Sequence, residues 1–471
     1  MLADLFFYSV FLGLIGLLPL TEKYKKTSSF LFVMALTFLT IILFIGYRDQ
    51  NIDTFSFFWM RTQKYRIEIN INSALKNYIM LFPVFVMSLL MAFQKIFTEK
   101  EQEGDNFYAL VSFNLANMIV LISSQNLVQL LTCIYVADII SQAMIKNFRV
   151  SKKYIFYSLF ADLGLFMIFA IIQGKLKSFN LEGFVAYKKI GRHKDFVAIS
   201  AMLFIFVKMG LFMFQAALLD LKNIKTYKLV SIVSFIGVLS VFFVLIKIYP
   251  LLQISDYSQA LMVYAVVSSA IWGLVCGVIM AGTNRQIVYF NMLLYAFVIY
   301  AFINKGAFDE ESALYLLLGY FTSWTLAISG KYIKIILRSV IFIAWTVIFY
   351  FYQSSNLPTD ILRAVILLSI VLIGNIRWFY KFESLQKADI FSRIYDILLI
   401  KPVMILGRGL WLLVDFTIME KHVVGKVEAA GNISSGYIEK IKNCRFSMKL
   451  LWLIYLFFLF MISFYFGGVR I

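Results

Sequence analysis

The chain has 471 residues, of which 61% are hydrophobic, 18% aromatic and only 15% charged. Soluble domains carry about a quarter charged residues, so the composition excludes a water-soluble enzyme core and points to an all-α polytopic membrane protein. The formal charge of +18 is read as Lys and Arg gathered in cytoplasmic loops. Nucleic-acid binding is set aside, because no basic domain stands outside the apolar runs.

Apolar runs long enough to cross the hydrocarbon core as helices recur along the whole length, and they are too long and continuous for barrel strands. In chain order the expected spans are 2–20, 28–47, 76–95, 106–122, 125–146, 153–174, 196–219, 227–249, 257–281, 285–304, 312–330, 335–352, 361–378 and 447–467, about 14 transmembrane helices in all. The first lacks a basic n-region and a clear cleavage site, and is read as a retained span. Basic loops alternate with loops poor in Lys and Arg. TEKYKKT, KNFRVSKK (146–153), LKNIKTYK (221–228), TNR (283–285) and GKYIKIILR (330–338) form the basic set. PLLQISDYSQ (250–259), NKGAFDEE (304–311) and QSSNLPTD (353–360) form the other. The bias places the N-terminus outside, and the expected location is a bacterial inner (cytoplasmic) membrane. Two longer outer loops, 48–75 and 174–195 with its YKKIGRHK, break the pattern. Either they carry a basic patch for a partner, or the span count slips between them.

Residues 379–446 differ in character. Lys401, Arg408, Asp415 and His422 recur every seven residues on one helix face, which favours an amphipathic lateral segment over a further span. Nothing suggests a catalytic residue, a metal or a cofactor. Cys133, Cys276 and Cys444 lie far apart, His193 and His422 are too few for a cluster, and no Gly-rich phosphate loop follows a strand.

Three charges fall near mid-span on three consecutive expected helices: Asp138, Asp162 and Lys208. A charge at the bilayer centre costs at least about 2.5–3.5 kcal/mol, so such groups pair, face a cavity or serve ion movement. A structural ion pair needs only two of them; three fit a polar axis better. Asp220, twelve residues after Lys208, would stand about 18 Å further along a continuous helix, at the inner mouth of such an axis.

At Lys208 the sequence resembles the antiporter-like subunits of respiratory complex I and of Mrp-type cation/proton antiporters, most closely subunit L. That family carries K-S-A-Q-F-P-L-H-x-W-L-P-D-A-M followed by R-L-Y-P or R-L-N-P. Here KMGLFMFQAALLD begins at Lys208, keeps Phe212 and Leu218, ends in Asp220, and leads without a gap to KIYP at 247–250. SQNLVQLL (124–131), KYIFYSLFADLGLF (153–166, with Lys153, Asp162 and Gly164), GTNRQIVYF (282–290, Arg285 standing for a lysine), residues 312–330 ending in Gly330, and SRIYDILLIKPV (392–403) match further family segments.

The resemblance implies N-terminal helices over 1–105, a first antiporter-like repeat over 106–249 and an inverted, degenerate second repeat over 250–378. The lateral segment 379–446 and a last helix within 447–471 follow. It implies a proton or cation pathway through Lys208, Asp138, Asp162, Asp220, Arg285 and Tyr135, with other membrane subunits of a respiratory or antiporter complex as partners. The chain also departs from the family. Tyr135 replaces the expected glutamate, with Asp138 one turn on. Leu159 replaces an arginine, Gln215 and Val233 replace histidines, and Met213 and Leu219 replace the prolines that break the seventh span. Leu318 and Thr322 replace a histidine and a lysine of the second half.

The first functional expectation is a proton- or cation-translocating subunit of a complex I-like NADH-quinone oxidoreductase or Mrp-type antiporter. The alternative is a non-conducting membrane anchor for a partner protein, as in inorganic-carbon uptake complexes. A secondary transporter for a small solute ranks below both.

Overall fold

The computed structural model describes residues 1–320, apart from 18–21, 50–53, 62–65, 73, 99–105, 146–147, 177–180, 182–192, 212–213, 254, 280–283, 306–312, 314 and 318. The expectations for 321–471, the lateral segment 379–446 among them, lie outside the described residues, as does Leu318.

The helices follow the apolar runs in order: α1 Leu2–Gly16, α2 Glu22–Asp49, α3 Leu75–Thr98, α4 Phe107–Ile122, α5 Leu127–Met144, α6 Phe148–Leu176 and α7 Lys194–Met209. After α7 come the one-turn α8 Ala216–Leu219, a 3-10 turn Asp220–Asn223, α9 Thr226–Val230, a π turn Ser231–Ile236, α10 Gly237–Leu252, α11 Asp256–Ile279 and α12 Asn284–Lys305. Six helices among the described residues are long and apolar enough to cross a membrane, counting α9 to α10 as one run, Thr226–Leu252. Three shorter apolar helices cover Leu2–Gly16, Leu31–Tyr47 and Phe107–Ile122.

Burial sorts these helices by role. The Thr226–Leu252 run is 94% buried and that of α12 89%, whereas the α11 run is only 39% buried. A helix apolar on every side belongs in the middle of a bundle, and the α9–α10 run is the most hydropathic of the six. The outer faces of α1, α2 and α11 present Phe7, Phe11, Phe38, Phe44, Tyr264 and Ile271, as helix faces turned to lipid require.

Two local features correct the sequence expectation. The segment 48–75, read as a loop, holds an antiparallel hairpin, β1 Thr54–Arg61 and β2 Arg66–Asn72, with a bulge between Phe58 and Met60. Its period-2 signal is plain in RIEININ, where Ile67, Ile69 and Ile71 alternate with Glu68 and Asn70. The hairpin is anchored by amides: Asn70 Nδ2 donates to Gln125 Oε1 at 3.0 Å, and Gln129 Nε2 donates to the Asn70 carbonyl at 3.0 Å.

The second correction concerns the expected span 196–219. It is not one helix: α7 stops at Met209, one residue past Lys208. Gly210 takes the left-handed conformation at φ 60 and closes the helix, with the Leu211 amide donating to the Phe206 carbonyl at 3.0 Å. A glycine makes the break, with no proline between Lys208 and Asp220. It also voids the helical distance from Lys208 to Asp220, which heads the separate 3-10 turn. Gly210→Ala is expected to lower stability by about 1–2 kcal/mol, the cost of a left-handed L-residue, and a thermal melt in detergent measures it. A Cβ there would also lie 2.5 Å from Leu218 Cδ1.

Candidate functional site

The polar residues of α5, α6 and α7 converge. On α6, Tyr154, Ser158 and Asp162 follow one another at four-residue spacing and so share a face. On α5, Tyr135, Asp138 and Ser141 follow at three-residue spacing. Lys208 reaches in from the last turn of α7, where the negative end of the helix dipole favours a cation.

What brings α6 and α7 together is Gly164. A Cβ at that position would lie 2.5 Å from the Ser200 carbonyl oxygen and 3.2 Å from the Phe204 amide nitrogen. The absent side chain lets the two backbones touch, two residues after Asp162 and one turn before Lys208. Ser200 turns its own hydroxyl back to the Phe196 carbonyl at 2.8 Å, so it adds no polar group to the site.

Three side chains then surround the Lys208 ammonium. Nζ donates to Asp138 Oδ2 in a very short contact and to Ser158 Oγ at 2.6 Å. It forms a salt bridge with Asp162 Oδ1 at 2.9 Å. Two hydrogen-bond acceptors and a further carboxylate oxygen thus face the ammonium. The Lys208 and Asp162 side chains are 5% and 2% exposed, and Asp138 is the open side at 17%. Asp162, the more deeply buried carboxylate, also interacts directly with Asp138.

Tyrosines flank the triad. Tyr135 lies within electrostatic reach of Asp162 and Asp138. Tyr154 hydrogen-bonds Ser141 and feels Asp138 and Lys208. Ser158, Ser141 and Tyr154 were not singled out in the sequence, although the i, i+4 stripe ending on Asp162 signals two of them.

Two expected site residues stand elsewhere. Asp220, half-buried, opens the 3-10 turn after the break. Arg285, buried, sits in the first turn of α12, whose first residue Asn284 donates through Nδ2 to the Ile224 carbonyl at 3.2 Å. Neither is among the partners of Lys208. Among the described residues no group of three His, Cys, Asp or Glu could hold a metal ion.

With all three members ionised the triad carries one net negative charge. Uptake of one proton makes it neutral, in surroundings where an uncompensated charge is costly.

No family model matches the chain. The sequence is 24% identical over 270 residues to NADH-quinone oxidoreductase subunit N of Campylobacter jejuni (strain RM1221), covering 55% of this chain and 58% of that one. The fold matches a chain in the structure of the Mrp complex from Dietzia sp. DQ12-45-1b with TM-score 0.63 and 12% identity, over 79% of this chain and 46% of that one. The chain thus spans about half the length of each. These matches do not single out the subunit L branch favoured by the sequence motifs; the curated relative is a subunit N. The chain is a multi-pass membrane protein with the fold of a chain in an Mrp complex and sequence similarity to a membrane subunit of NADH-quinone oxidoreductase.

Proposed function

We propose that the chain is a proton- or cation-translocating subunit of a larger membrane complex, of the complex I-like or Mrp-like kind, with Lys208 as the switching group. The observation that carries this reading is the Asp138–Lys208–Asp162 triad, buried at the end of a helix broken one residue later. A merely structural pair would need one carboxylate. The second leaves room for one exchangeable proton, and the left-handed Gly210 gives the lysine an end that can shift without bending a continuous helix. In this reading Asp138, on the open side, exchanges with the path, Asp162 stores, and Tyr135 and Tyr154 shape the field. Asp220 and Arg285 would act further along the path. Any redox chemistry belongs to partner subunits.

The non-conducting anchor is the second reading. It is favoured by the close pairing of the ammonium with two carboxylates and a hydroxyl of the chain itself. Proton flux into proteoliposomes under an imposed gradient separates the two. Lys208→Ala is expected to reduce flux at least about hundredfold, the size of a lost relay step. Full flux in that variant would remove Lys208 from the path.

A further inference from the structure

Outside the triad, two lysines stand close together without a carboxylate. Lys247, half-buried near the end of α10, donates to the Ser124 carbonyl at 3.2 Å and feels the charge of Lys76, which is exposed in the first turn of α3. Among the described residues neither forms an ion pair with an acid. The Ser124 carbonyl, just past the end of α4, suits an ammonium as a helix-end acceptor, but it cancels no net charge. Two uncompensated cations at the rim of an apolar bundle call for an anion.

The same turn of α3 opens on a groove. Ile79 lies three residues after Lys76 and so on its side of the helix. It lines a groove of about 280 Å³ together with Leu43, Phe44 and Tyr47 of α2, Phe82 of α3, and Leu317. Phe44 is 60% exposed and Phe82 39%, so the groove opens sideways, on the face that the apolar helices turn to lipid. The space is far larger than one water, and apolar walls keep such a space dry. What a bilayer offers to fill it is an acyl chain. Leu43 and Phe82 lie one helical turn deeper than Tyr47 and Ile79, so the groove follows the helix axes, as a chain requires.

We propose that the groove and the lysine pair form one site for an anionic phospholipid. One acyl chain lies between α2, α3 and Leu317. The headgroup phosphate sits at the helix ends, with Lys76 as its first partner and Lys247 as its second, at the level where Tyr47 and Tyr78 mark the membrane interface. Apolar burial and charge hold the lipid, and no bond is made or broken. The site is separate from the Lys208 cluster and does not rest on the transport reading.

Native mass spectrometry of the full chain tests it, with phosphatidylglycerol, phosphatidylcholine of the same acyl chains, and inorganic phosphate as probes. The wild type should retain one phosphatidylglycerol at least about tenfold more firmly than phosphatidylcholine. Lys76→Gln and Lys247→Gln should each cut that preference about fivefold, the weight of one basic residue near an anionic lipid surface, and leave phosphatidylcholine retention unchanged. Leu43→Trp fills the groove and should weaken retention of both lipids. Ala313→Phe fills it from another wall, so that one misfolded variant does not decide the matter. Equal retention of the two lipids by the wild type overturns the anionic site. Undiminished retention in the folded filling variants overturns the groove as the seat of the chain. Inorganic phosphate bound as firmly as phosphatidylglycerol overturns the lipid in favour of a solute anion.

Discussion

Lys208→Ala is expected to destabilise the protein by about 3–5 kcal/mol, because it leaves the buried Asp162 and the half-buried Asp138 facing each other with no cation between them. Asp162 is 2% exposed, so water offers it no substitute. The loss should be recovered, not deepened, by neutralising the rest of the cluster. Lys208→Met combined with Asp138→Asn and Asp162→Asn replaces an ionic site with groups of similar volume, a change that is often neutral or stabilising. Thermal unfolding of detergent-solubilised protein measures both. A Lys208→Ala variant as stable as wild type would mean that the three charges do not form one cluster. A triple variant less stable than Lys208→Ala would mean that charge is required for the fold itself.

Gly164→Ala and Gly174→Ala make the same chemical change on the same helix and are expected to have opposite effects. At Gly164 the new Cβ would press on the backbone of α7, 2.5 Å from the Ser200 carbonyl oxygen. Neither backbone can swing aside like a side chain, so the helices must part, at an overpacking cost of about 1–3 kcal/mol. Parting them also draws Lys208 away from Asp162, and flux should fall with stability. At Gly174 nothing lies within 4 Å. There alanine should stabilise the helix by up to about 1 kcal/mol through propensity alone and leave flux intact. Equal effects at the two sites would show that close contact between α6 and α7 does not set the triad.

The triad was legible in the sequence for a thermodynamic reason. Few groups are as costly in a bilayer as a charge, so Asp138, Asp162 and Lys208 stood out of their apolar runs. Their neutral companions did not. Ser158 and Tyr154 are ordinary residues in a span, and only the four-residue spacing back from Asp162 marks them. The break after Lys208 was not expected, because Met213 and Leu219 stand where the resembling family has its prolines, and 196–219 was read as one span. Gly210 performs it through a left-handed φ that no residue name guarantees.

The hairpin over Thr54–Asn72 was visible in its alternation but was read only for its charge. The π turn could not be read at all, since Ser231–Ile236 is apolar and unremarkable in sequence. Its geometry is held from α12 by Tyr295 and Asn291, some sixty residues later.

The most direct test of the central claim compares proton flux through proteoliposomes of the wild type and of the Lys208→Met, Asp138→Asn, Asp162→Asn variant. The comparison is made after both are shown to melt at similar temperatures. A buried triad that exchanges one proton requires that the wild type conduct above protein-free vesicles and that the folded, neutral variant fall to their level. Equal flux through the two would contradict it.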